Sequence, residues 1–517
     1  MQKRGRHNLK GKTLFITLIV LIILGIFVYY YINYQKQLGA EQSYNTLGWK
    51  LYKEGKYDEA IKEFREYIKR NPKNFFAHTG LGWSLYRKGI YDEAANSFKS
   101  AIELNPNSHD PYNGLGWTYY RLKEYNKSIP NFEQATKLAP DYYDPYDGLG
   151  WSYYMLMYKQ YDTDLDVDNI QKIYLNSINA FRHSIHLKPD NYDSYLGSGM
   201  AYHWRERNMP KNTANYTEAI AALKKSIELN PENPIAYNFL GWTYKFENKN
   251  KKYTDTPKNF SLSIEMLEKA IEQNPNYADA YIGLGWSYFM SFDMAKAKEN
   301  FENAIKIDNN NPSAYNGLGW AYYLTNNFSK AAGNFGKAIE LAPNYYENYN
   351  GLGWVRLKQR RYNESRDLFT KAIKLNPNYD ESYEGLGAYY DAVKDYKNAI
   401  EAYKKAIGVN PDDLGTARAY YNELGWSYYR LKDNQNAINS FSTMLKQNPD
   451  TIMSMIGLSV VNYEIGNMTI ADELAKKLSQ SKPDFFLKSN RRYIRFANCM
   501  KGLVYNAENV HKCGSSL

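Results

Sequence analysis

Residues 44–72 read YNTLGWKLYKEGKYDEAIKEFREYIKRNP, and residues 315–343 read YNGLGWAYYLTNNFSKAAGNFGKAIELAP. Both carry Tyr, Leu-Gly-Trp, a polar turn, Ala, Phe and Pro in one order and at one spacing. Aligned on the Gly-Trp dipeptide, Trp49, Trp83, Trp117 and Trp151 recur every 34 residues, and Trp286, Trp320 and Trp354 do so again. Trp242 lies between these blocks and Trp426 after them. Met200, Ala388 and Val460 stand in the same slot, which makes twelve units over residues 41–485. A fixed period of this length marks a repeat array, in which each copy is one supersecondary unit that buries its apolar face only against its neighbours.

Within a unit, the residues five, two and one before the Trp and two after it fall at i, i+3, i+4 and i+7, the apolar stripe of a first helix. Glycine directly before the Trp costs about 1 kcal/mol of helix propensity relative to Ala. Its place there is explained by close approach of the unit's second helix. That helix follows a short turn such as Gly55-Lys56-Tyr57 and ends at Asn71-Pro72 or Asn105-Pro106, because Pro disfavours the α conformation in the residue before it. Units are expected to start near residues 41, 75, 109, 143, 192, 234, 278, 312, 346, 380, 418 and 452, with residues 486–517 as a capping helix and tail.

Tyr44, Leu47, Gly48, Leu51, Tyr57, Ala60, Phe64 and Pro72 together resemble the signature of the tetratricopeptide repeat, whose first residue is usually Trp rather than Tyr. Tyr349, Leu352, Gly353, Tyr362, Phe369, Ala372 and Pro377 repeat the match. The resemblance implies an all-α fold, a right-handed α-α superhelix of about twelve helix pairs, whose first helices line a concave groove that commonly takes extended peptides.

At about 100° per residue the Trp lies roughly 150° around its helix from the centre of the packing stripe. Asn113, Asn238, Asn316, Asn350 and Asn422, four residues earlier, and Tyr120, Tyr154, Tyr323 and Tyr429, three later, share its side. An Asn amide both donates and accepts, and indole and phenol rings supply large contact area with a polar handle. Trp49, Trp83, Trp117, Trp151, Trp242, Trp286, Trp320, Trp354 and Trp426 with these Asn and Tyr residues therefore form the candidate ligand groove, for a protein or peptide partner or, on the same chemistry, a polysaccharide. The competing assignment is structural: in a stacked array the Trp can fill the seam between adjacent units.

Net charge is +10, yet the excess sits at the ends. Residues 1–40 hold six basic residues and no acid, and residues 486–517 hold six against Glu508, which leaves the middle at −1. A nucleic-acid binder spreads its cations along the binding face, so no nucleic-acid partner is expected. Residues 13–35 carry no charge, and Leu14–Ile32 is long enough to cross a bilayer. With residues 1–12 basic, the expectation is a single-pass membrane anchor with a cytoplasmic N-terminus and an extracytoplasmic repeat domain; a cleaved secretory signal is the alternative. Cys499 and Cys513, the two cysteines, are either a disulfide or two free thiols.

Three units carry extra residues between their helices, at 158–173, 205–216 and 247–260, read as loops that serve a partner or merely decorate the array. Asp162, Asp164, Asp166 and Asp168 alternate like a calcium loop but lack its Gly and its closing Glu, and His183, His186 and His203 lack carboxylate or Cys companions, so no metal is expected. No phosphate loop, nucleophile elbow or zinc-protease motif is present, and the array leaves no room for a catalytic domain. No enzyme activity and no cofactor are expected.

Overall fold

The computed structural model describes residues 46–161, 167–208, 216–249, 256–409, 417–447, 449, 451–480, 499–500 and 506–515, and all regular structure among them is helical. Helices pair in chain order: α1 (Thr46–Lys53) with α2 (Tyr57–Arg70), α3 (Phe75–Arg87) with α4 (Tyr91–Leu104), α5 (His109–Arg121) with α6 (Tyr125–Leu138), and α7 (Tyr143–Tyr161) with α8 (Val167–Leu187). The pairs α9 (Tyr192–Asn208) and α10 (Thr217–Leu229), α11 (Pro234–Lys249) and α12 (Thr256–Gln273), α13 (Ala278–Met290) and α14 (Met294–Ile307), and α15 (Pro312–Leu324) and α16 (Phe328–Leu341) follow. Then come α17 (Tyr346–Lys358) with α18 (Tyr362–Leu375), α19 (Asp380–Ala392) with α20 (Tyr396–Val409), α21 (Ala417–Arg430) with α22 (Asn434–Gln447), and α23 (Ile452–Glu464) with α24 (Met468–Gln480), closed by α25 (Ala507–Gly514). The helices gather into two compact units, one of residues up to 205 together with 221–231, the other of 206–220 together with 232–517.

The pairs are held by a repeated arrangement of one ring and two glycines. Phe64, Phe98, Phe132, Phe181, Phe301, Phe335, Phe369 and Phe441, on eight of the twelve second helices, are wholly buried. Phe335 of α16 lies against Gly319 of its own first helix and against Gly351 of the next, so that a Cβ at Gly319 would come within 3.0 Å of the ring and one at Gly351 within 2.3 Å. The same relation joins Phe98 to Gly82 and Gly114, Phe132 to Gly116 and Gly148, and Phe369 to Gly353 and Gly385. Burying a Phe side chain is worth roughly 1.5–3 kcal/mol, which exceeds the helix-propensity cost of about 1 kcal/mol at each glycine. The close approach also lets second-helix hydroxyls reach first-helix carbonyls: Ser128, Ser177, Ser263 and Ser365 donate to the carbonyls of Gly116, Gly150, Gly241 and Gly353 at 2.8–2.9 Å.

In the pairs whose turns are described, the turn passes through the left-handed region, at Gly55, Gly89 and Gly466 but equally at Lys123, Arg360, Lys394 and Lys432, all with φ between 60° and 83°. The turn is thus dictated by the hairpin rather than by glycine. At the C-terminal end, α25 covers α23 with Val510 and Cys513 buried against Ile456 and Val460, and Ala507 N–H donates to Asp472 at 2.8 Å. Cys499 and Cys513 are joined as a disulfide with their Cα atoms 5.6 Å apart.

Two expectations are corrected. The inserted segment at 158–173 is mostly helix, not loop, because α7 runs on to Tyr161 and α8 starts at Val167. The reason is apolar spacing: Ile170, Ile173 and Tyr174 are buried at i, i+3 and i+4 and extend the second helix by its own packing face. Likewise the extra residues at 205–216 and 247–260 begin on α9 and α11, which continue to Asn208 and Lys249. The single-pass membrane placement is also corrected, since among the described residues no helix is long and apolar enough to cross a membrane. The apolar stretch 13–35, the basic residues 1–12 and the acidic positions Asp162, Asp164 and Asp166 lie outside the described residues.

Two glycine substitutions separate packing from propensity. Gly351→Ala is expected to destabilise the chain by about 1–3 kcal/mol, as overpacking does. Gly333→Ala, inside α16 with nothing within 4 Å of its Cβ site, is expected to stabilise it by about 1 kcal/mol. Thermal midpoints of the two variants that move in the same direction would refute this account of the fold.

Candidate functional site

The Trp slot lies on the first helix, and the structure places its ring between three helices. Each indole meets the buried Phe of its own second helix edge-on: Trp49, Trp83, Trp117, Trp151, Trp286, Trp320, Trp354 and Trp426 have ring centroids 5.2–5.6 Å from Phe64, Phe98, Phe132, Phe181, Phe301, Phe335, Phe369 and Phe441. A second edge contact, at 5.3–6.0 Å, joins Trp49, Trp83, Trp117, Trp151, Trp286, Trp320 and Trp426 to the ring three residues on. In three units the indole N–H crosses to the next pair: Trp83 donates to Asp110 at 3.0 Å, Trp117 to Asp144 at 3.0 Å and Trp151 to Asp193 at 2.9 Å. Trp242 differs in lying parallel to Phe246, with the Lys245 ammonium 4.3 Å from its ring centroid.

Of the two assignments for the Trp slot, these contacts show the structural one, the seam between adjacent units, for part of each ring. An angle of 150° from one stripe points away from one neighbour, but a first helix in a stack also has the next first helix beside it. The rings therefore pack in a seam with one side left open. Trp426 is sealed at 1% exposure, whereas the other eight Trp of the slot remain half-buried.

The Asn row is deeper than its polarity implies. Asn113, Asn238, Asn316, Asn350 and Asn422 are all buried. Asn113 Nδ2 donates to Asp144 at 2.6 Å, Asn316 Nδ2 to Asn348 at 2.8 Å and Asn238 Nδ2 to the Tyr277 hydroxyl at 3.3 Å, each reaching the next first helix. Asn113 Oδ1, Asn238 Oδ1 and both amide atoms of Asn350 have no partner. Of the Tyr row, Tyr154 and Tyr429 are buried while Tyr120 and Tyr323 keep an open edge, and the Tyr429 hydroxyl donates to Glu464 at 2.6 Å.

Sequence reasoning missed the carboxylates. Asp110, Asp144 and Asp193 occupy the second residue of α5, α7 and α9, and Glu347 and Glu381 the second residue of α17 and α19. Asp147 and Glu384 stand in the Asn slot itself, four residues before Trp151 and Ala388. The recurrence of an acid two residues before the first Tyr of the unit was the available signal. Burial raises Asp110 and Asp193 above the usual carboxylate range, the Trp83 and Trp151 N–H bonds opposing it. Asp147 is raised by burial and then by Asp193, and the Ser194 hydroxyl donates to it at 2.5 Å. Burial, then Glu381, Glu423 and Asp380, push Glu384 up to about 8. Nearby, the Tyr420 hydroxyl donates to Asp380 at 3.0 Å.

Glu384 carries a pH dependence of known sign. Its folded pKa lies above the ordinary value of about 4.3, so the native state holds a proton that the unfolded chain gives up, and stability falls as pH rises from about 4.5 to 8. Glu384→Gln is expected to raise the thermal midpoint at pH 9 and to leave it nearly unchanged at pH 4, checked by melting curves across that range. A midpoint lowered at pH 9 would contradict the assignment.

The sequence matches models of the tetratricopeptide repeat at residues 45–109, 109–142, 211–233, 278–311, 312–345, 346–379, 380–413 and 416–451. Among curated proteins nothing matches. Among solved structures the chain is similar to yeast Tom70, at 18% identity over 83% of this chain and 96% of that one, with a TM-score of 0.43. It is similar also to the APC/C hetero-tetramer Cut9-Hcn1, at 13% identity over 92% and 96% with a TM-score of 0.48, and to a human IFIT1 dimer with PPP-AAAA, at 17% over 78% and 90% with a TM-score of 0.45. Since the repeat matches together cover more than half of the 517 residues, the chain belongs to the tetratricopeptide-repeat family.

Proposed function

We propose that the chain is a protein-binding scaffold whose contact surface is the open side of the first-helix seam, where half-buried indole and phenol edges alternate with carboxylates. The observation that carries this is the division of labour in the seam. Packing accounts for one edge of each ring through its Phe contact, yet the Trp of eight of the nine Gly-Trp units keep a side uncovered. Aromatic edges held rigid by their neighbours lose little entropy when a partner covers them. Membership of a repeat family supports the same reading, because stacked pairs offer an extended surface rather than a closed cavity. Carboxylates and amides at regular intervals along that surface favour a partner in an extended conformation over a compact one.

Position-specific crosslinking tests this. A photoreactive phenylalanine analogue replaces Tyr86 or Tyr323 on the seam, or Lys99 or Lys337 on second helices, in the full chain. Partners crosslinked from the seam positions and not from the second-helix positions are expected. Capture confined to the second helices would overturn the assignment of the surface.

A further inference from the structure

Within the unit of residues up to 205 together with 221–231, we propose that the open seam is a receptor for a cationic segment, an extended stretch of a partner protein bearing Arg or Lys. This deepens the scaffold reading and rests on it.

The seam there is rich in acceptors, and the cations nearest it, Arg87, Arg121 and Lys188, donate to the hydroxyls of Tyr52, Tyr91 and Tyr143 rather than to the carboxylates. Asp110, Asp144 and Asp193 stand at the head of three consecutive first helices, each half-buried and each held by an indole N–H from the preceding pair. Asp147 lies one turn beyond Asp144, and its bonded partners are the Ser194 hydroxyl and the Asp193 carboxyl. Among the described residues none of these four carboxylates is within ion-pair distance of a Lys or Arg. Acids elsewhere in the same unit do find one: Arg65 pairs with Glu93 at 2.6 Å and Lys88 with Asp58 at 2.9 Å. The contrast is notable in a chain of net charge +10, where cations are not scarce.

A second observation concerns an amide. Asn113 is 1% exposed, its Nδ2 donates to Asp144 at 2.6 Å, and the Oδ1 of the same amide has no partner. A buried acceptor without a donor is costly, and this one is fixed beside a carboxylate. Any donor would satisfy the amide oxygen, and one that carries positive charge would also complement the Asp144 carboxylate beside it. Guanidinium offers five N–H donors in a plane and ammonium three. Tyr142, exposed and bordering both Asp110 and Asp144, adds an aromatic face for such a cation.

The test uses the full chain and three fluorescein-labelled twelve-residue peptides, alternating Ser with Lys, with Glu or with Asn, followed by fluorescence anisotropy. Asp110→Asn, Asp144→Asn and Asp193→Asn are combined, since Asn retains an oxygen for the indole N–H; melting curves verify folding. The control combines Glu59→Gln, Asp92→Asn and Glu103→Gln, the same charge change on exposed second-helix positions. The Lys peptide is expected to bind the unmodified chain, to lose affinity by about tenfold in the seam variant and to change less than about twofold in the control. Equal losses in both variants, or none in the seam variant, overturn the proposal. Binding of the Asn or Glu peptide alone overturns the cationic assignment and leaves the scaffold reading standing. Absence of binding by every peptide overturns the cationic assignment, and the scaffold reading falls with it only if the Tyr86 crosslinks are absent as well.

Discussion

The arrangement on which the rest depends is a phenylalanine ring held between two helix glycines, one from its own pair and one from the next. Removing both Cβ atoms lets three helices share a single side chain, so the contact that closes a hairpin is also the contact that joins it to its successor. This explains why glycine, a poor helix residue, recurs in the middle of first helices: a Cβ at Gly114 or Gly148 would come within 2.3 Å of the ring it faces.

Close approach of the backbones also determines what the remaining side chains can do. With first helices brought together over glycine, the Trp ring has no room to project freely and lies edge-on to Phe in the seam, with its N–H turned toward the next pair. Where that pair supplies a carboxylate, the donor is satisfied, as with Trp117 and Asp144. Where it supplies Met453 instead, the Trp426 N–H is buried without a partner. The polar chemistry of the seam is therefore a consequence of two residues per unit, the second of the first helix and the one four before the Trp slot, superimposed on an apolar frame.

This hierarchy explains what could be read from the sequence. The period, the helix pairs and the buried Ala and Phe were legible because each follows from local spacing along one helix. The glycine three residues before the Trp was overlooked although it recurs at Gly80, Gly114, Gly317 and Gly351, because its partner ring belongs to the preceding unit and a single-helix stripe does not include it. The direction of the indole stayed open between two assignments for the same reason: angular position on one helix says nothing of a neighbour supplied by the next repeat. The carboxylates at Asp110, Asp144 and Asp193 are ordinary first-turn acids by helix-dipole reasoning, and only the crossing N–H bonds reveal that they belong to the seam.

The two ends of the apolar frame pose opposite problems, and the C-terminal one is solved in the structure. A stack of pairs leaves its last first helix without a successor, so the face that would receive the next pair must be covered or made polar. In α23 that face is apolar, with Ile456 and Val460 both buried. Covering it falls to α25, whose Gly514 lies so close that a Cβ there would meet Val460 at 2.6 Å and Ile456 at 2.9 Å. The device is again glycine against an apolar side chain, now with the polarity reversed: the capping helix supplies the glycine and the array supplies the bulk. A cap built on the same contact as the repeat ends the array without presenting a first helix to extend it, and the disulfide from Cys513 to Cys499 ties that cap to the chain that leads into it.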